Sequence, residues 1–213
     1  YDTTNTPLED NSIAPRAVDR FNNLWVGVGN KGMAKFDGTN WTIYNTTNSG
    51  LPANSVVSIA IDNNNVKWIA TMGGGLAKFN DTNWVIYNTG NSAIPSNVLL
   101  TIVIENNIKW VGSYTFNGGI GRYNDTNWIV YNTSNSPLLS NLIRGSNLDR
   151  FSNKWFATQF GGLAKFNSII NEWTIYTTTN SGLPEMNLEC VTIDKNNIKW
   201  IGPFSSGLVR FND

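Results

Sequence analysis

Short stretches in which apolar and polar residues alternate run through the chain, and they return at a fixed interval. Positions 55–61 form one such stretch, ending at Asp62 and a turn of Asn63-Asn64-Asn65. Positions 66–71 follow, with Trp68 and Ala70 on one face by the two-residue period of a strand. A third stretch covers 75–80, and Asp81-Thr82-Asn83 turns the chain into a fourth at 84–87. Asn, Asp and Gly bound every stretch, so the pattern predicts four short antiparallel strands, A to D, in one unit.

The unit repeats. Trp25, Trp68, Trp110, Trp155 and Trp200 lie 43, 42, 45 and 45 residues apart, and Trp41, Trp84, Trp128 and Trp173 keep step with them. Together the two series account for all nine tryptophans. Four strands per repeat predict an all-β fold, a five-bladed β-propeller of four-stranded antiparallel blades. The repeats are 11–53, 54–96, 97–140, 141–185 and 186–213, the last completed by 1–10, as one domain over 1–213. Two residues after each strand-B Trp the side chain is small (Gly27, Ala70, Gly112, Ala157, Gly202), and strand C begins at Gly32, Gly75, Gly119, Gly162 and Gly207. These positions read as close contacts between blades or as backbone with positive φ. Phe36, Phe79, Tyr123, Phe166 and Phe211 join the tryptophans in the expected inter-blade core.

The phase at the two ends carries its own expectation. Tyr1-Asp2-Thr3-Thr4-Asn5-Thr6-Pro7-Leu8 matches residues 44–51 without a gap, and Phe211-Asn212-Asp213 stops just short of a strand D. The N-terminus is therefore expected to close the last blade, which lacks most of its outer strand. Strand C of that blade is left as an open edge, a surface for self-association.

Composition removes several classes of function. Fifteen basic and fifteen acidic residues cancel, giving no field for nucleic acid, and no apolar run is long enough for this segment to insert into a membrane. The chain has no histidine, which excludes Ser-His and Cys-His catalysis and the usual zinc sites. Cys190 is alone and forms no intrachain disulfide. The acids of the A–B turns (Asp19, Asp62, Glu105, Asp149, Asp194) lack the spacing of a calcium loop and read as turn formers. Lys67, Lys109, Lys154 and Lys199, each just before a tryptophan, read as a solvated stripe. No metal or cofactor is implied.

The motifs Trp68-Ile69-Ala70, Gly75-Leu76-Ala77-Lys78-Phe79, Trp84-Val85-Ile86-Tyr87 and Asn91-Ser92-Ala93-Ile94-Pro95, with Asp62 ahead of them, recur along nearly the whole chain. They resemble the two-component regulator propeller repeat. The resemblance implies a propeller fold and a periplasmic or extracellular sensing region.

Candidate function falls where the copies disagree. The B–C loops vary, and the third is two residues longer than its neighbours. Met72, Tyr114, Phe116, Phe160 and Phe204 on these loops are candidate ligand-binding residues, an apolar and stacking surface for a small molecule, glycan or protein partner. Arg16, Arg144 and Glu189 are charges in strand A, beside the central channel. Arg144 and Glu189 occupy equivalent positions in adjacent repeats and are expected to form an ion pair or to touch ligand. The leading expectation is thus a binding or sensing module without catalytic residues. A structural or assembly domain of a secreted protein is the alternative. A carbohydrate-active enzyme using Glu189 with Arg144 and Tyr114 comes third.

Overall fold

A computed structural model describes residues 1–213, the side chain of Pro15 excepted. It contains nineteen strands and, among the described residues, no helix. Sheet one is β1 (Ile13–Val18), β2 (Leu24–Val28), β3 (Met33–Phe36) and β4 (Trp41–Tyr44). Sheet two is β5 (Val56–Ile61), β6 (Lys67–Thr71), β7 (Gly75–Phe79) and β8 (Trp84–Tyr87). Sheet three is β9 (Leu99–Glu105), β10 (Ile108–Ser113), β11 (Ile120–Tyr123) and β12 (Trp128–Tyr131). Sheet four is β13 (Ile143–Leu148), β14 (Lys154–Thr158), β15 (Gly162–Asn167) and β16 (Glu172–Tyr176). Sheet five has three strands, β17 (Leu188–Ile193), β18 (Lys199–Pro203) and β19 (Val209–Phe211), and lacks the outer one.

The sheets follow one another around an inner wall made by their first strands, with β1 against β5, β5 against β9, β9 against β13 and β13 against β17. No comparable contact joins sheet five to sheet one. Each pair of neighbours shares an apolar cluster, but the cluster on the free side of sheet one is built from that sheet and its leader alone.

The expected closure of the last blade by the N-terminus is corrected here. Tyr1 packs on Phe36 and Trp41 of sheet one, with ring centroids 5.1 and 5.7 Å away, as Tyr44 packs on Phe79 and Trp84 of sheet two. Leu8 is buried with Val26, Val28 and Ala34, as Leu51 is buried beside Ile69 and Ala77. Residues 1–10 therefore repeat the path of a D–A linker, whose leucine belongs to the sheet it leads into, and they do not pair with β19.

The spacing of the sheets is set by a contact that the alternation of polar and apolar residues misassigned. In sheets two, three and four strand B lies between two neighbouring sheets, so both of its faces are covered. Its tryptophan faces the following sheet and the preceding lysine faces the previous one. Trp25, Trp68, Trp110 and Trp155 are fully buried, and so are Lys67, Lys109, Lys154 and Lys199. The lysines are not a solvated stripe: their ammonium groups stand 4.8, 4.4, 5.5 and 4.6 Å from the ring centroids of those tryptophans. A buried charge is tolerated only when its donors are used. Lys67 Nζ donates to Asn65 O (3.0 Å) and to Asp81 Oδ1 and Oδ2 (2.6 and 2.7 Å). Lys109 donates to Asn107 O and pairs with Asp125, and Lys199 pairs with Asp213.

The acids of the A–B turns hold the other edge of each tryptophan. Asp19 Oδ2 accepts the indole N–H of Trp25 at 3.0 Å, and Asp62, Asp149 and Asp194 do the same for Trp68, Trp155 and Trp200. Burial works against the charge on Asp19, but hydrogen bonds from the Asn23 side chain, the Trp25 indole and the backbone N–H groups of Asn23 and Phe21 outweigh it and hold its carboxyl at about 2. Sheet three departs. Its strands A and B join through Asn106-Asn107, both at positive φ (47° and 66°), a tighter turn. Glu105 then turns to Lys154 of sheet four, where Ser168 stands in place of an aspartate, and the indole N–H of Trp110 is left without an acceptor.

The glycines at the start of strand C satisfy both expected requirements, since Gly75 has φ +82° and an added Cβ would lie 2.2 Å from Tyr87 O of strand D. At Gly207 (φ +74°) a Cβ would meet nothing within 4 Å, because strand D is missing there. Gly75→Ala is expected to be the more destabilising change by about 2 kcal/mol, with Gly207→Ala costing only the left-handed backbone, about 1–2 kcal/mol. Urea unfolding of the two variants measures the difference, and equal losses would contradict this account of the edge.

The lysine contact makes a second prediction. Lys67→Leu should cost about 2 kcal/mol through the lost ammonium hydrogen bonds and an unpaired Asp81. Adding Asp81→Gly should recover part of the loss, since sheet one has Leu24 and Gly38 at these two positions. A double-mutant cycle in urea reads the coupling, and strict additivity would show that the pair is not a unit.

Candidate functional site

Each first strand carries a register break near its start. The pairing slips between Val56 and Ser58, between Ile143 and Gly145, and between Leu188 and Cys190, and β9 breaks at the same place. The extra residue at such a bulge is turned out of the ladder. In sheets two to five that residue is Val57, Leu100, Arg144 and Glu189, so the two charges noticed in the sequence sit at the one position of strand A that the bulge re-aims.

The loop end of the sheets is equally regular in backbone and variable in side chain. The residue after strand B donates its backbone N–H to a carbonyl just before or at the start of strand A: Gly29 to Ser12, Met72 to Ser55, Tyr114 to Val98, Gln159 to Leu142 and Phe204 to Asn187, all at 2.8–3.0 Å. These bonds fix four side chains of different chemistry, and the bare Gly29, at one level of the inner wall.

In sheets three to five the two sets converge. The guanidinium of Arg144 lies over the ring of Tyr114, 4.9 Å from its centroid, and pairs with Glu189. The Tyr114 hydroxyl donates to Gln159 Oε1. Glu189 Oε1 and Asn187 Oδ1 are buried acceptors with no donor from the protein. A stacked cation, its paired carboxylate and the tyrosine bonded to Gln159 thus meet at one place on the wall.

The candidate residues divide accordingly. Tyr114, Arg144 and Glu189 are brought together, and the ion pair expected between the last two is present. Phe160 and Phe204 stand on the adjoining loops, 62% and 67% exposed. Phe160 has φ +67° where sheet two has Gly73 at +112°, an unusual backbone for an aromatic residue and one kept mostly at functional positions. Met72 is half-exposed on the loop of sheet two and bridges Val98. Phe116 lies at the tip of the long third loop, 80% exposed, its carbonyl held by Asn141 Nδ2 at 2.7 Å. Arg16 is not part of the group. It lies in sheet one at the position of Ile59, which elsewhere faces the preceding sheet, and it is exposed. Gln159 and Asn187 went unnoticed in the sequence. The repeat alignment holds the signal for Gln159, which stands where Met72, Tyr114 and Phe204 stand.

The aspartates of the A–B turns lie at the opposite end of the sheets, engaged with their own backbone and tryptophans. Glu185 belongs to the loops: it accepts from the backbone N–H groups of Ser205 and Ser206 at 2.7 and 2.9 Å. The Ser205 backbone bond leads the effects that hold its carboxyl below the usual range.

Inner strands around a wall, outer strands at the rim and variable loops at one end define a β-propeller-like scaffold. No protein-family profile and no curated protein matches the chain. Solved structures share the fold. An extracellular domain assigned to a hybrid two-component system of B. thetaiotaomicron superposes with a TM-score of 0.81 at 24% identity, covering 94% of this chain and 28% of that one. PorZ, a surface component of the type-IX secretion system of Porphyromonas gingivalis, matches with a TM-score of 0.76 at 21% identity over 99% of this chain and 34% of that one. A catalytically inactive histidine-to-alanine variant of virginiamycin B lyase from Staphylococcus aureus, solved with quinupristin, gives 0.74 at 13% identity over 96% and 71%. The chain thus spans about a third or less of the length of the first two. Extracellular domains of two-component systems among its structural neighbours agree with the resemblance carried by the repeat.

Replacing Phe160 by Gly removes a left-handed backbone cost without disturbing a packed contact. Stability should rise by about 0.5–1 kcal/mol, read from the urea midpoint. A loss of stability would show that the ring packs on the loop.

Proposed function

We propose that the chain is a non-enzymatic binding or sensing module, displayed in the periplasm or outside the cell, that takes a glycan or similar polyhydroxylated small molecule on its loop face. The observation that carries this reading is the meeting of Tyr114, Arg144 and Glu189 on the inner wall, where a guanidinium stacked on an aromatic ring is paired with a carboxylate. Phe160 and Phe204 add exposed ring faces of the kind on which a sugar ring stacks. The extracellular domains among the structural neighbours support the location.

Catalysis fits the same group less well. Glycoside hydrolysis uses two carboxyl groups at a set separation, and this cluster has one, already paired with Arg144. The inactive lyase variant differs by a histidine, a residue type this chain lacks. An assembly role is the second reading, favoured by the open side of sheet five and by the secretion-system surface component among the neighbours.

A glycan array and a thermal-shift panel of mono- and disaccharides on the 213-residue chain test the first reading. Tyr114→Ala and Phe160→Ala should each weaken the best binder at least about tenfold, equivalent to 1.4 kcal/mol. Unchanged affinity in both variants would place the binding surface elsewhere.

A further inference from the structure

Two irregularities of the repeat face each other across the turn end of sheets three and four. The A–B turn of sheet three is one residue short. Glu105 stands five positions before Trp110, where Asp19, Asp62, Asp149 and Asp194 stand six before their tryptophans. The C–D turn of sheet four is two residues longer than the others. Trp173 follows Phe166 by seven positions, where Trp41, Trp84 and Trp128 follow their partners by five. Between these two turns lies a pocket of about 400 Å³, lined by Glu105, Trp110, Arg122, Phe151, Ser168 and Ile169.

Two donors of this pocket have no partner. The other strand-B tryptophans direct the indole N–H at the acid of their A–B turn. Trp110, fully buried, has no acceptor there, and an unpaired buried donor calls for a missing group. The guanidinium of Arg122 lies 5.8 Å from the Trp110 ring centroid and forms no ion pair among the described residues. Glu105 does not serve either of them, because it pairs with Lys154. The remaining donors of Lys154 go to Ser152 O and Ser168 Oγ at 2.8 and 2.7 Å. Arg150, 4.7 Å from the Phe151 ring centroid, adds a second positive charge beside the pocket.

The other sheets show which group such donors take. Their four indole N–H groups go to a carboxylate oxygen at 3.0–3.1 Å. Lys165, at the strand-C position of Arg122 in sheet four, pairs with the carboxylate of Asp213. We propose that the pocket is a second binding site, one that takes a small carboxylic acid with an apolar body. Its carboxylate stands in for the turn aspartate that sheet three lacks, against the Arg122 guanidinium and the Trp110 N–H. Arginine receives a carboxylate through two parallel N–H bonds, which suits this charge better than a neutral group. The apolar body lies along Phe151 and Ile169, 56% and 82% exposed, and the volume is that of a small-molecule site. The pocket is at the opposite end of the sheets from Tyr114, Arg144 and Glu189, and is independent of the loop-face ligand.

Titration of the 213-residue chain with benzoate, phenylacetate and hexanoate, beside benzamide and inorganic phosphate, tests the proposal. Binding is read from the nitrogen–proton NMR signals of the nine indole groups, with Trp110 assigned by Trp110→Phe. The acids should move the Trp110 signal to lower field, and benzamide and phosphate should leave it in place. Arg122→Gln strands no partner and should keep the fold, yet weaken the best acid at least about tenfold. Tyr114→Ala should leave that affinity unchanged. The proposal is overturned by a Trp110 signal that no acid moves, or by benzamide or phosphate acting as strongly as the acids. Full affinity in Arg122→Gln, or its loss in Tyr114→Ala, would overturn it too.

A graft gives a second readout that leaves Arg122 untouched. Residues 105–108 are replaced by the five residues 62–66, and Ser168→Asp is added. The regular interface is thereby rebuilt, with one aspartate for the Trp110 N–H and another for Lys154. The Trp110 signal should move to lower field without ligand, the thermal midpoint should hold or rise, and the acids should no longer bind. Acid binding that survives in the folded graft would overturn the proposal.

Discussion

The stack depends on a lysine ammonium held between an indole face and a carboxylate in a place that water does not reach. Neither partner alone would keep a cation there. The ring offers about 2 kcal/mol when desolvated, well short of the cost of burying a free charge. The carboxylate supplies the remainder, and in Lys67 and Lys109 a backbone carbonyl of the strand's own turn takes a further donor. The three groups come from two sheets, so the interaction exists only when the sheets sit at one separation and one rotation. That requirement, repeated at each interface, turns a set of similar hairpins into an arc of defined curvature.

The exceptions obey the same rule. In sheet one the lysine position is Leu24 and the aspartate position is Gly38, so both halves of the pair have gone together and no buried charge is stranded. Between sheets three and four the aspartate position is Ser168, and Glu105 of the neighbouring sheet supplies the missing carboxylate. The consequence falls on Trp110, whose indole N–H has no acceptor. A charge balance is thus kept at every interface, even where a neutral hydrogen bond is given up for it.

Most of the scaffold was legible in the chain, because nine tryptophans in two regular series leave little choice of period. Strand positions, the small residues and the missing outer strand of sheet five all follow from it. The lysines did not, for a physical reason. Two-residue alternation assumes that one face of a strand is wet, and strand B of an inner sheet has no wet face. The end of the chain was misread for a related reason. Phase says that residues 1–8 repeat 44–51, but a phase match is the same whether the linker closes a ring or leads into the next sheet. Only packing of Leu8 and Tyr1 on sheet one decides between them. At the site, departures from the repeat pointed to Tyr114, Arg144 and Glu189, whereas Gln159 was hidden because a polar residue on a polar loop departs from nothing. Arg16 also departs from the repeat, yet it marks the free side of sheet one and not the wall.

The two ends of each sheet carry different obligations, and this separates scaffold from function. At the turn end the acids, the indole N–H groups and the lysines satisfy one another, so a substitution there disturbs two sheets at once. At the loop end the backbone bonds from Gly29, Met72, Tyr114, Gln159 and Phe204 hold the chain in place without help from their side chains. The side chains in sheets two to five are therefore not what holds these positions, and four different types occupy them. Where backbone alone fixes geometry, side chains are free to be chosen for what they touch. Phe160 goes one step further, keeping an exposed aromatic on a backbone that suits glycine. A stack that satisfies its charges at one end can accept that strain at the other.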